Sequence, residues 1–289
     1  MVGLLLLAGC HGVLHFDSKE ERLDAGIDAI RSFDFHQANR ILEGISNQYE
    51  WGTKGWMRAA YLEATAARHV RPTNRRIQER TSRLYQELIE TGVEPYSRLA
   101  RLDLARISAL SSMEGDLNPE RAQGLYREII EIWPDSREAD VATLWLANSF
   151  LHGPNPMEGA QEAADILKTR LEEFPDTEMA PLVWQSLANI HLTLYRDPDT
   201  ALGYLLEVDQ RGFPKEDRLD EFYYSIARSA ERAGQPALAA EYYARLMEET
   251  PRSRMGWHSQ QRILALNAEH PELNARVPVL GGELGGDDT

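Results

Sequence analysis

A proline-headed segment returns through the second half of this chain at nearly constant intervals. Trp133-Pro134-Asp135-Ser136-Arg137-Glu138-Ala139 is answered by Phe174-Pro175-Asp176-Thr177-Glu178-Met179-Ala180, then by Phe213-Pro214 and Thr250-Pro251-Arg252-Ser253. The prolines stand 41, 39 and 37 residues apart. Thirteen residues after the first three comes an alanine each time: Ala147, Ala188 and Ala227. Twelve residues before a proline stand Ala122, Ala163 and Ala239, with Ala201 displaced by one in the third unit. Tyr126, Leu167 and Tyr243 share the place eight before it. A period of this length marks units that cannot bury their apolar faces alone and must stack on one another.

The residue choices have mechanical reasons. A proline lacks an N–H and constrains the residue before it, so each one ends a helix. The Asp-Ser or Asp-Thr that follows can cap the next helix by accepting from free N–H groups. Alanines let two helix backbones approach, and the larger Tyr126, Leu167 and Tyr243 fill the space beside them. From Lys19 to His270 apolar residues recur at three- and four-residue spacing, with hardly a strand signal. The spacing predicts an all-helical chain of helical hairpins.

This pattern resembles the tetratricopeptide repeat, in its longer variety with Pro-Asp-Ser and a following alanine. The resemblance implies a right-handed α-α superhelix and a surface for protein partners. It is carried by residues 119–265. Before them Phe35–Leu42, Trp56–Ala67 and Tyr96–Leu110 look like repeat helices without the full spacing, while 68–81 and 113–118 read as insertions or turns. In such repeats the residue after the small residue of the first helix faces the concave surface. That rule picks Asn148, Asn189 and Arg228 as partner-groove positions, joined by Leu144, Gln185 and Tyr224 three residues before each alanine. Amides and an aromatic suit hydrogen bonding to an extended peptide or a partner helix. The groove lacks the ring of lysines that would clamp a C-terminal carboxylate.

The chain opens MVGLLLLAGC. Leu7-Ala8-Gly9-Cys10 resembles the lipobox of bacterial lipoproteins, which implies cleavage before Cys10 and lipid on its thiol. Two or more acyl chains hold a protein stably at a membrane where one does not. With repeats behind it, such an anchor resembles outer-membrane lipoproteins of the BamD type, which take part in β-barrel assembly, and periplasmic repeat proteins that bind TolA. The alternative is a soluble repeat adaptor whose apolar start is not processed. The expected organisation is a signal segment at 1–9, a lipidated tether at 10–18 and divergent helical repeats at 19–118. Tetratricopeptide-like repeats with a C-terminal helix follow at 119–270, then a flexible acidic tail at 271–289.

Composition narrows the rest. The 289 residues hold 31 Lys and Arg against 46 Asp and Glu, a net charge of −15. Residues 134–289 carry 14 cations against 27 acidic groups, a balance of −13. An acidic chain of this kind does not suit nucleic acid, whose affinity depends on neutralised phosphates. A single cysteine excludes an intrachain disulfide and a multi-cysteine zinc site. His11 and His15 near Cys10 are read as incidental, so neither metal nor cofactor is expected. The sequence contains no His-Glu-x-x-His, Gly-x-Ser-x-Gly, Gly-x-x-x-x-Gly-Lys or Gly-x-Gly-x-x-Gly. His191 is expected to be packed or partly exposed.

Three further features carry expectations. Arg68, His69, Arg71, Arg75, Arg76, Arg80 and Arg83 form one basic run, read either as a contact for anionic lipid near the anchored end or as a solvated loop leading into a helix. Trp133, Trp145 and Trp184 are expected in the core, and Trp51 and Trp56 flank a glycine-bearing turn. Together these readings describe a non-enzymatic, lipid-anchored scaffold on the periplasmic face of the outer membrane, binding protein partners of an envelope assembly complex.

Overall fold

The computed structural model describes residues 15–110, 117–152, 155–212 and 218–279. Cys10, His11, Phe213-Pro214 and most of the acidic tail lie outside the described residues. Among those residues all the regular structure is helical, and the chain divides into two compact units, Met1–Ile129 and Ile130–Thr289.

In the first unit α1 (Lys19–Arg31) pairs with α2 (Phe35–Leu42), and α3 (Lys54–Arg68) with α4 (Arg75–Thr91). Helix α5 (Tyr96–Leu110) lies on α4, and α6 (Pro119–Ile132) runs across the division between units. Side-chain caps start several of these helices: Ser18 accepts from the Glu21 N–H, Thr53 from Trp56 and Asn74 from Ile77. Helix α3 is alanine-rich because it is buried on two sides. Ala59 and Ala66 pack with Leu23, Ile41 and Leu42, while Met57, Ala60 and Ala64 pack with Leu84, Tyr85 and Leu104. Residues 75–81, read from sequence as part of an insertion, are the first two turns of α4. Arginine-rich composition hid a helix whose apolar face is Ile77, Leu84 and Leu88.

The basic run is absorbed by carboxylates from distant helices. Arg80 reaches Glu43 at 2.6 Å and Glu63 at 3.7 Å, and Arg76 reaches Glu43 at 3.3 Å. Arg68 lies 3.4 Å from the buried Asp103, and the His69 ring stacks on Phe35 at 4.4 Å. Glu63 is itself buried and closes the turn after α2, accepting from the Gly44 N–H at 2.8 Å and from the Ser46 hydroxyl at 2.8 Å. Most of these cations therefore hold helices together instead of forming a stripe.

Among its described residues the second unit contains three hairpins and a closing helix. They are α7 (Arg137–Leu151) with α8 (Pro156–Glu173), α9 (Ala180–Ile190) with α10 (Pro198–Arg211), and α11 (Leu219–Arg232) with α12 (Pro236–Glu249). Helix α13 (Gly256–Glu269) packs on α12. The alanine columns are buried throughout: Ala147, Ala188 and Ala227 on the first helices, Ala163, Ala201 and Ala239 on the second. The displaced Ala201 has no exposed surface, and neither has Tyr243.

Ser136 caps α7 as its position predicts, accepting from the Ala139 N–H at 3.1 Å. The equivalent hydroxyls do more. Thr177 and Ser253 accept from Met179 and Met255 at 3.2 and 3.1 Å, ahead of α9 and α13. Thr177 also donates to Asp140 of α7, and Ser253 to Asp220 of α11 at 2.5 Å. Each acceptor stands six residues after one repeat proline and each donor two after the next. The hydroxyl is a latch between consecutive hairpins.

Candidate protein-interaction surface

On each first helix the buried positions alternate with a half-open face. Leu146 and Ala147 are buried in α7 while Leu144 and Asn148 are partly exposed. In α9 Leu187 and Ala188 are buried, Gln185 is partly exposed and Asn189 is open. In α11 Ile226 and Ala227 are buried, with Tyr224 and Arg228 partly exposed. The six positions singled out by spacing therefore occupy corresponding places on three consecutive first helices. They lie one helical turn apart, as residues four apart must.

The row has its own structure toward the C-terminal end. The Tyr224 ring meets His258 of α13 at 5.8 Å and Tyr243 of α12 at 5.9 Å, which fixes its orientation. Arg228 lies 3.8 Å from Glu231. Glu231 is a hub: it also takes Arg262 at 2.6 Å and accepts from the Tyr243 hydroxyl at 3.2 Å. Burial, and after it the Glu231 charge, push the Tyr243 phenol well above its ordinary pKa, so it stays a donor. Arg228 is already charge-compensated by Glu231.

Beyond Asn189 the helix does not end normally. Residues His191–Tyr195 form a π-turn, and Arg196 follows in the left-handed region at φ 54°. His191 is nearly buried, as its setting in a repeat helix suggests. Its ring lies 5.1 Å from Tyr195 and 5.4 Å from Tyr204, with Nδ1 3.3 Å from Asp197. Asp197 in turn starts α10, and hydrogen bonds from Thr200 hold its carboxyl below the ordinary range. Beside this turn opens a pocket of about 400 Å³ lined by Leu192, Thr193, Arg196, Pro198 and Arg232. Spacing alone did not find it, because a π-turn breaks the register that the repeat establishes. The Arg-Asp-Pro triplet at 196–198 was the available sign of a turn there.

The tryptophans correct the sequence reading. Trp133, Trp145 and Trp184 are half-buried instead of core, whereas Trp56 is buried and Trp51, 5.7 Å from it, is exposed. Trp184 packs on Tyr204 of α10, within its own hairpin, at 5.4 Å. Cys10 and its lipobox lie outside the described residues, and among the described residues no helix is long and apolar enough to cross a membrane.

Residues 221–253 contain most of α11 and all of α12. They match the family model of the tetratricopeptide repeat. A search of the curated proteins returns no match. Among solved structures, the chain resembles a signal-transduction ATPase with numerous domains and a tetratricopeptide-repeat sensor, from Pyrococcus horikoshii. The TM-score is 0.54 and the identity 15%, covering 88% of this chain and 39% of that one. It also matches an assembly chaperone of RpL4 (17% identity, 88% and 99% coverage, TM-score 0.49). A tetratricopeptide repeat protein from Parabacteroides merdae matches too (14%, 87% and 99%, TM-score 0.37). The first of these likenesses supports the all-α repeat fold and nothing narrower. Tetratricopeptide hairpins stack into extended surfaces that other proteins bind.

Proposed function

We propose that this chain is a non-enzymatic, protein-binding repeat scaffold, tethered by lipid on Cys10 to the periplasmic face of a bacterial outer membrane and serving an envelope assembly complex. The observation that carries the binding surface is the row of Leu144, Asn148, Gln185, Asn189, Tyr224 and Arg228. Three successive first helices repeat the same half-open positions over fully buried alanines. A surface of backbone-rigid helices with amides and an aromatic edge meets an extended or helical partner with little ordering cost of its own. The tether rests on Leu7-Ala8-Gly9-Cys10.

Two measurements in the native host test the reading separately. Cys10→Ala is expected to move most of the protein from the membrane to the soluble fraction; unchanged fractionation rejects the anchor and leaves the soluble adaptor. A photo-crosslinking residue at Gln185 or Tyr224 is expected to capture one protein neighbour. The controls are Glu162 of α8 and Glu241 of α12, both exposed on second helices. Capture from the controls alone overturns the groove assignment.

A further inference from the structure

Arg196 and Arg232 come from different hairpins yet line the same pocket. Both side chains are exposed, and neither guanidinium has an ion pair or hydrogen bond with another described residue. Within their own unit Arg170, Arg211, Arg228, Arg245 and Arg262 each meet a carboxylate at 3.8 Å or less, whereas Arg196 and Arg232 face one pocket together. Residues 134–289 carry almost twice as many acidic groups as basic ones. Two guanidinium groups left over in such surroundings, facing one cavity, form a site for an anion.

The backbone supports this reading independently. Arg196 holds φ 54° and ψ 37°, a left-handed conformation costing a residue with a Cβ on the order of 1 kcal/mol. It is carried there by the π-turn and fixed by the Asp197 N–H, which donates to the His191 carbonyl at 2.9 Å. Strain of this kind persists where surrounding structure imposes it, and it aims the Arg196 side chain at the pocket that Arg232 shares. Arg232 stands one helical turn beyond Arg228, so the pocket continues the row of partner positions on α11.

We infer that this pocket binds a carboxylate side chain from an acidic segment of the protein partner, gripped between Arg196 and Arg232. The proposal rests on the scaffold reading above and names the chemistry of the partner. Guanidinium forks match carboxylates in two-point geometry. Leu192 and Pro198 offer apolar surface to the methylene stem of a glutamate, and the pocket volume of about 400 Å³ admits such a side chain. The surplus of acidic groups around it disfavours a long polyanion while leaving a single carboxylate at contact distance attracted, because charges beyond about 10 Å are screened at moderate salt.

The test uses the full chain and N-acetyl-diglutamate amide, followed by the Nε–H signals of Arg196 and Arg232 in nuclear magnetic resonance. Both signals are expected to move together and saturably, with the diglutamine analogue at least tenfold weaker at equal ionic strength. Arg196→Gln and Arg232→Gln are each expected to weaken binding at least fivefold; neither side chain supports packing, so both variants should fold. Equal response to diglutamine, or no response of the two signals, overturns the proposal. Tighter binding of inorganic phosphate than of diglutamate overturns the carboxylate assignment. Failure here with successful crosslinking from Gln185 removes the pocket and leaves the scaffold; binding here with crosslinking only from the second helices does the reverse.

Discussion

Asp140→Ala is expected to destabilise the second unit by about 3–5 kcal/mol, the cost of leaving a buried charge without its partner. Asp140 and Arg170 are both almost fully enclosed. The Arg170 Nε and Nη2 donate to one carboxylate oxygen at 2.8 and 2.5 Å, and the Thr177 hydroxyl donates to the other. Phe174 covers the guanidinium face at 4.1 Å. Truncating Asp140 therefore strands a cation and opens the latch to α9 in one step. The comparison is Glu178→Ala, which removes an exposed partner 3.9 Å from Arg137 and should cost no more than about 1 kcal/mol. Urea midpoints for the two variants should differ clearly. Asp140→Leu combined with Arg170→Met should recover at least half of the loss, since apolar side chains of similar size remove the desolvated charges together. Equal midpoints for Asp140→Ala and Glu178→Ala would mean that the latch contributes nothing.

That pair also shows what a sequence discloses. The alanine columns were legible because close helix approach demands a small side chain at a fixed interval, and interval survives in a linear string. Tyr126, Leu167 and Tyr243 were legible for the same reason. Asp140 was not, because its partners stand 30 and 37 residues away and nothing local distinguishes it from a solvated helix residue. The same holds in the first unit, where Glu63 and Asp103 lie buried under arginines that read as a surface run. Periodicity identifies which face of a helix turns inward, but not how deep a ring will sit, hence the half-buried Trp133, Trp145 and Trp184. Of the proposed interaction surface, the half-open row from Leu144 to Arg228 followed from register; the Arg196 pocket did not, since its guanidinium arrives through a left-handed residue after a π-turn.

Glycine supplies the sharpest remaining contrast, because two helical glycines of the second unit should respond to the same substitution with opposite sign. A Cβ on Gly159 of α8 would stand 2.1 Å from the Phe150 carbonyl oxygen and 2.7 Å from its carbon. Those atoms belong to the backbone of α7, so no side chain can swing aside and the two helices must separate. Gly159→Ala is expected to cost about 3 kcal/mol, the upper range for an added methylene in a packed seam. A Cβ on Gly203 of α10 meets nothing within 4 Å. Gly203→Ala should therefore stabilise the unit by about 0.5–1 kcal/mol, through helix propensity and a less flexible unfolded chain. Thermal unfolding of the two variants beside the parent chain reads both effects. A stabilising Gly159→Ala would show that α7 and α8 do not approach as closely as the fold requires. A destabilising one of the expected size should also reduce crosslinking from Leu144 and Asn148, because the α7–α8 seam sets the pose in which α7 presents that part of the row.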